Sequence, residues 1–261
     1  MEWEKELIAV NKQYTPLDTK GLMVSVGDKM VTWQAEKLFT AANLTKLPIY
    51  LFYYEKAVRG QMDLLEEIIV PTERRIAGKG VLHLLPRIEK WTIEDLLTMM
   101  IAVSDHEATN QLIAHVGLRT IQEWIETKEW KKDVKLRRYL MDYASGLTNE
   151  ISPKGAIAVM KDIIQLGEQN LEWQEKIEFP LLNQQFRNGL PGSLTEKNIP
   201  ILEILNKTDE DNTVLHDVAL FRYKDKKVYI AALAMDVQDE AQMYAWMQDI
   251  GKLIFQKIEE R

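Results

Sequence analysis

Cysteine is absent from this 261-residue chain. No disulfide can brace it, no thiolate can act as a nucleophile or hold a metal, and the redox compartment is left open by the same fact. Histidine is scarce. The four present, His83, His106, His115 and His216, stand far apart without the H-E-x-x-H spacing that puts two imidazoles on one helix face, so neither a metal nor another cofactor is expected. Long apolar runs are missing as well, and nothing approaches the roughly 18 residues that a membrane span needs. Nor is there an excess of positive charge. Thirty-three basic against forty acidic residues give a formal charge of −7, which supplies no long-range field for phosphate backbones or anionic lipid. Nucleic acid and membrane are therefore not expected partners. The densest basic run, Lys131 to Arg138, reads as a wetted helix end and loop. The opening segment MEWEKELIAVNKQY has no basic region followed by an apolar stretch, so it is not a secretory signal. The expected compartment is the cytoplasm, or the extracellular side if a leader was trimmed and a new methionine supplied.

What is present points to a folded protein. Apolar residues make up 46% and charged residues 28% of the chain, enough apolar surface to rule out disorder, and the length suits one large domain or two lobes sharing a core. Trp3, Leu7, Ile8 and Val10 recur at helical spacing, and GLMVSVGDKMVTWQ then reads as two strands around Gly27-Asp28. From about Ala42 to Lys197 the pattern is mostly helical. Thr92 with Asp95, and Ser152 ahead of Pro153, mark helix starts, because a hydroxyl can cap free N–H groups and proline needs none at the first position. After Pro200 the period becomes that of strands. ILEILNKT, VLHDVALFRY and KVYIAALAMDV are separated by turn signals at Asp209-Glu210-Asp211-Asn212 and Lys224-Asp225-Lys226. A closing helix carries Met243, Trp246, Ile250 and Ile254 on one face. Strands at both ends around a helical block predict an α/β (α+β) architecture: one antiparallel sheet completed by the termini and flanked by helices, with an all-helical lobe inserted. The expected division is 1–41 with 198–261 as the α/β lobe and 42–197 as the helical lobe, with a site at their junction.

The stretch FTAANLTKLPIY, Phe39 to Tyr50, holds a lysine one helical turn after an asparagine. Three residues apart, Asn43 and Lys46 lie some 60° apart around a helix, so their side chains can meet. A lysine in apolar surroundings loses hydration, which lowers its pKa and can make it a base, although its stem can equally carry the ammonium out to solvent. Ser104-Asp105-His106 stands at a junction between helices, and Lys207-Thr208-Asp209 at a strand.

With these three segments the chain resembles the class A serine β-lactamases and their penicillin-binding relatives, whose signatures are S-x-x-K, S-D-N and K-T-G. The parts occur in family order and span most of the chain, including GKGVLHLL, NGLPGSL and HDVALF. The resemblance implies a serine β-lactamase-like two-lobe fold and, as the family reaction, β-lactam hydrolysis through a serine acyl-enzyme. It places Asn43 at the nucleophile position, Lys46 and Ser104 among the catalytic residues, and His106, Lys207, Thr208 and Asp209 around the substrate.

Four departures from the pattern bear on activity. A carboxamide nitrogen is delocalised and gives a lysine nothing useful to deprotonate, so no acyl-enzyme is expected at Asn43. Thr45, about 200° around the helix, is a poor replacement. His106 replaces an amide that both donates and accepts, and Asp209 brings bulk and negative charge where glycine lets substrate run close. A carboxylate-bearing lactam meeting that charge loses affinity. The family's Ω-loop glutamate has no aligned counterpart; Asp142 and Glu150 are the nearest acids.

Lys46, Ser104, Lys207 and Thr208 remain, and are expected either to form an anion-attracting pocket or to persist as relict packing. In the second case Lys46 bonds Asn43 and Ser104, and Asp209 neutralises Lys207. The expected protein is a non-hydrolytic binding homologue for a small ligand of β-lactam or peptidoglycan-peptide type. The alternatives are an active serine hydrolase of the family with an engineered nucleophile substitution, and a cytoplasmic interaction module with a defunct cleft.

Overall fold

The structure, a computed structural model, describes residues 2–16, 19–71, 75–194, 201–211 and 213–260. In chain order its elements are α1 (Glu2–Gln13), β1 (Lys20–Val26), β2 (Lys29–Trp33), β3 (Phe39–Thr40), α2 (Lys46–Val58), β4 (Glu67–Ile69), β5 (Lys90–Thr92), α3 (Ile93–Ala102), α4 (His106–Val116) and α5 (Leu118–Ile125). There follow β6 (Val134–Lys135), β7 (Glu150–Ile151), α6 (Pro153–Gln169), α7 (Leu171–Leu182), β8 (Glu203–Asp211), β9 (Val214–Tyr223), β10 (Lys226–Met235) and α8 (Glu240–Glu259).

The main sheet runs β2-β1-β10-β9-β8 and is antiparallel throughout. Chain termini meet in its middle, where β1 pairs with β10 from Lys20↔Ala234 to Val26↔Val228. Side chains alternate between its faces, so each strand serves two cores. Ala231 and Leu233 of β10, with Val218 and Leu220 of β9, pack against the helical block around Leu47, Tyr50 and Met160. Ile230, Ala232 and Ala234, with Ala219 and Phe221, pack under α1 and α8 around Leu7, Trp246 and Ile250. The antiparallel sheet built by both ends of the chain and the helical insertion are thus as expected.

Local details follow from local chemistry. Thr92 and Asp95 form a reciprocal capping box at the start of α3, and Ser152 accepts from the Gly155 N–H with Pro153 in the first turn of α6. The expected helical pattern includes α7 after Asn170, with Pro180 near its end. Two differences from the sequence reading stand out. The helical block also holds the small sheet β4-β5 and the strands β6 and β7, which β3, just before the block, completes into a second small sheet, β3-β7-β6. The acidic run beginning at Asp209 is not a turn up to Asp211: β8 continues through it, with Asp209 opposite His216 and Asp211 opposite Val214, because pairing with β9 supplies the ladder that the local composition disfavours. Asn212, and the division between 197 and 198, lie outside the described residues.

Candidate functional site

Two short segments of the helical block and one strand of the sheet converge. Asn43 lies in a single 3₁₀ turn, Ala42–Thr45, that runs directly into α2, whose first residue is Lys46. Ala42 before it has φ +41°, and Ser104, between α3 and α4, has φ +56°. Residues with a Cβ occupy that region at a cost of about 1–3 kcal/mol each, so surrounding contacts must hold both turns in place. Asp105 supplies many of them. Its carboxylate accepts from the N–H groups of Ala108, Val81 and Leu82, capping α4 and tying it to the preceding loop. That loop needs glycine: a Cβ at Gly78 would stand 2.4 Å from His106 Nδ1, and one at Gly80 2.3 Å from the Asp105 carboxylate.

On β8, Lys207 and Asp209 share the face of Leu205 toward the helical block. Lys46 Nζ donates to Asn43 Oδ1 at 2.5 Å, to the Ser104 carbonyl at 2.6 Å and to Ser104 Oγ at 3.2 Å. Lys207 Nζ donates to the same Oγ at 2.7 Å and to the Thr208 carbonyl at 2.6 Å. Asn43 Nδ2 donates to Asp209 Oδ1. His106 Nε2 lies 3.0 Å from Asn43 Oδ1; an amide oxygen only accepts, so Nε2 carries the hydrogen. His106 Nδ1 and Asp209 Oδ2 are buried without a partner. Lys46, Lys207 and Asp209 are 0% exposed, Ser104 1% and Asn43 4%.

Burial sets the protonation states. Loss of hydration holds the Lys46 amine well below the usual lysine range, repulsion from Lys207 adds to this, and Asp209 and Asp105 oppose it. Lys207 is brought down to about 7 by burial, against the attraction of Asp209. His106 falls to about 3 through burial and then the nearby Lys46, Lys79 and Lys207, so its ring is neutral. His216 is lowered by burial and sits across the ladder from Asp209, with Nε2 donating to the Thr40 carbonyl at 2.8 Å.

The structure therefore brings together Asn43, Lys46, Ser104, His106, Lys207 and Asp209, but not Thr208. Alternation along β8 turns the Thr208 hydroxyl to the other face, where it donates to the Phe186 carbonyl at 2.8 Å and lies 3.1 Å from Asp217 Oδ1. Asp209 bonds Asn43 rather than neutralising Lys207 by direct contact. Thr45 turns back on its own 3₁₀ turn, donating to the Ala42 carbonyl at 2.7 Å. Glu150 is engaged by Arg137 at 2.5 Å. In place of an open anion-attracting pocket, both lysines are fully buried, Lys46 with three internal acceptors and Lys207 with two. Surface cavities of about 670 and 220 Å³ lie elsewhere, lined by Lys128, Asp133 and Lys161 and by Trp3, Val228 and Ile258 respectively.

Sequence reasoning missed two contacts beside the site. The Lys79 carbonyl accepts from the His106 N–H at 3.0 Å, and Lys79 Nζ lies 5.2 Å from the Phe186 ring, a cation–π contact between the Gly78–Gly80 loop and the approach to β8. Asn149, which organises the short loop by accepting from the Arg137 and Arg138 N–H groups, was missed too. The flanking glycines of GKG were the available signal for the first; none marked the second.

A sequence profile described as the beta-lactamase enzyme family matches residues 5–258. The chain belongs to that family. No curated protein matches it. Among solved structures it is similar to a beta-lactamase from Sphaerobacter thermophilus DSM 20745, at 20% identity and TM-score 0.84, with 100% of this chain and 97% of that one covered. It is similar to PBP-A, at 18% identity and TM-score 0.84, with the same coverage of 100% and 97%. A class A beta-lactamase from Bacteroides cellulosilyticus DSM 14838 gives 18% identity and TM-score 0.84 over 99% and 98% of the two chains. At such identities these likenesses establish the serine β-lactamase fold. A further PBP-A structure is an acyl-enzyme complex with penicillin G. Among the described residues no helix is long and apolar enough to cross a membrane, and no group of three or more His, Asp or Glu could hold a metal ion.

Proposed function

We propose that this member of the beta-lactamase family does not form an acyl-enzyme at position 43 and instead recognises a ligand of β-lactam or peptidoglycan-peptide type without a covalent bond. The observation that carries this reading is the state of Asn43. Its carbonyl oxygen is held by Lys46 and His106 and its nitrogen by Asp209, so the group standing where a nucleophile would stand has no proton to lose and is bonded at both ends. Incubation with penicillin followed by intact-mass spectrometry tests the reading: the expected result is no adduct, together with nitrocefin turnover at buffer background. Turnover above background that Lys46→Ala abolishes would refute it.

A second reading, an active hydrolase whose serine at position 43 was exchanged, has one observation in its favour. Ser104 Oγ is still held between the two lysines, as a proton relay would be. Penicillin labelling of Asn43→Ser alone would support that reading, and its absence would show that His106 and Asp209 also disable the site.

A further inference from the structure

Only one asparagine in the chain is followed by glycine: Asn188, which opens the NGLPGSL approach to the last strands. A backbone nitrogen can attack the side-chain carbonyl of the asparagine before it, and glycine favours this because no Cβ hinders the approach or restricts the backbone. Packing fixes the glycine, since a Cβ on Gly189 would stand 2.5 Å from Asp217 Oδ2. The loop is held all around this pair. Thr208 Oγ1 donates to the Phe186 carbonyl at 2.8 Å, Gln248 Nε2 to the Asn188 carbonyl at 2.9 Å, the Gly192 N–H to the Gly189 carbonyl at 3.0 Å, and the Leu190 N–H to Asp217 Oδ2 at 2.8 Å. The two reacting groups are left out of these bonds: neither the Asn188 side-chain amide nor the Gly189 N–H hydrogen-bonds another described residue. Asn188 is exposed, and a main-chain N–H without a protein partner is met by water.

We propose that Asn188 is a self-modification site, where the Gly189 nitrogen closes onto the Asn188 side chain and ammonia is lost. Hydroxide from the solvent takes the Gly189 N–H proton, the nitrogen attacks Asn188 Cγ, and the carbonyl electrons move onto Oδ1. The carbonyl re-forms as the Cγ–Nδ2 bond breaks, and Nδ2 takes a proton from water and leaves as ammonia, which returns the hydroxide. Water then opens the five-membered succinimide at either of its carbonyls, giving aspartate or isoaspartate. The net change is one water consumed and one ammonia released, with no oxidant or reductant. In the isoaspartate product the main chain runs through the former side chain and gains a methylene between two anchored points, the Phe186 carbonyl and the Leu190 N–H. The Asn206–Thr208–Asp217 cluster that holds those points is therefore loosened.

The modification adds about 1 Da and involves no residue around Asn43, whereas a penicillin acyl-enzyme adds the drug, so this inference and the proposed function succeed or fail separately. The test is intact-mass spectrometry of the full chain during warm incubation at mildly alkaline pH, with tryptic mapping and urea unfolding of the aged sample. The expected result is a gain of about 1 Da confined to the peptide Asn188–Lys197, which resolves into two products of equal mass. The urea midpoint should fall as they accumulate. Because the fold leaves both reacting groups unbonded, the rate should stay within about tenfold of that in the urea-unfolded chain. Asn188→Ser should keep both its mass and its midpoint through the same incubation, and freshly made Asn188→Asp, which has the charge without the added methylene, should keep its midpoint. No gain in that peptide, an equal gain in the peptides of other asparagines, or a rate further below that of the unfolded chain overturns the proposal.

Discussion

Lys20 and Lys207 are both completely buried lysines on strands of the same sheet, and they do opposite things. Lys20 opens β1 and donates to the Asn11 carbonyl at 2.8 Å and the Tyr14 carbonyl at 2.5 Å, with its ammonium 4.9 Å from the Trp246 ring. Its acceptors are main-chain groups at the end of α1, so the lysine fastens that helix to the sheet and to α8. Burial alone lowers it, to about 8. Lys207 lies in β8 among side chains. Besides one backbone carbonyl it serves Ser104 Oγ, it is repelled by Lys79 and attracted by Asp209, and it stands lower, at about 7. The first lysine completes a fold; the second belongs to a charged cluster that the fold carries at a cost. Unpartnered buried atoms occur beside both: Asn11 Nδ2 near Lys20, and His106 Nδ1 and Asp209 Oδ2 at the cluster.

The largest effect expected from this contrast is chemical. If the Lys207 side is a disarmed catalytic site, Asn43→Ser alone should remain unlabelled by penicillin, whereas Asn43→Ser with His106→Asn and Asp209→Gly should gain a covalent adduct. Intact mass reads the difference, and an unlabelled triple variant would contradict a disarmed catalytic site beside Lys207.

Stability is the next discriminator. Lys20→Met strands two buried carbonyls and should cost about 2 kcal/mol in urea unfolding. Lys207→Met removes a desolvated charge and should change stability by no more than about 1 kcal/mol, with a gain as the favoured sign. Equal losses would erase the distinction between the two lysines.

The pH dependence of Lys207 gives a smaller, graded effect. Its folded pKa of about 7 lies below the ordinary 10.5, so between these values the unfolded chain holds a proton that the folded chain has released. Stability should therefore rise from pH 7 to pH 9, by at most about 1.4 kcal/mol per pH unit from this group. Lys207→Met should flatten the rise, leaving the parts due to Lys46 and to Lys20, the latter beginning near its own value of about 8. A slope unchanged by Lys207→Met would place the titration elsewhere. Smallest, and remote from both lysines, is the α3 cap: Thr92→Ala should cost about 1 kcal/mol without altering either the labelling or the pH slope.

What could be read in advance was what sequence encodes locally. Caps at Thr92 and Ser152, the strand period after Pro200 and the apolar face of α8 all follow from neighbouring residues, and the pairing of Asn43 with Lys46 follows from helical spacing. The rest depends on distant partners. Asn43 meets Asp209 across 166 residues, and only that contact shows that the asparagine is tied at both ends. The resemblance put Thr208 around the substrate from motif order alone, whereas strand alternation turns its hydroxyl toward Asp217. β8 outran its acidic composition because β9 pairs with it. The contact of Lys79 with Phe186 joins two loops whose spacing in the chain carries no sign of it.

The central claim is that the group at the nucleophile position cannot be acylated, and intact-mass spectrometry of the unmodified protein after incubation with excess penicillin tests it most directly. The account predicts a spectrum without any drug-mass increment, whatever the incubation time. A stoichiometric increment equal to the whole penicillin, mapped to the Leu38–Lys46 peptide, would contradict it.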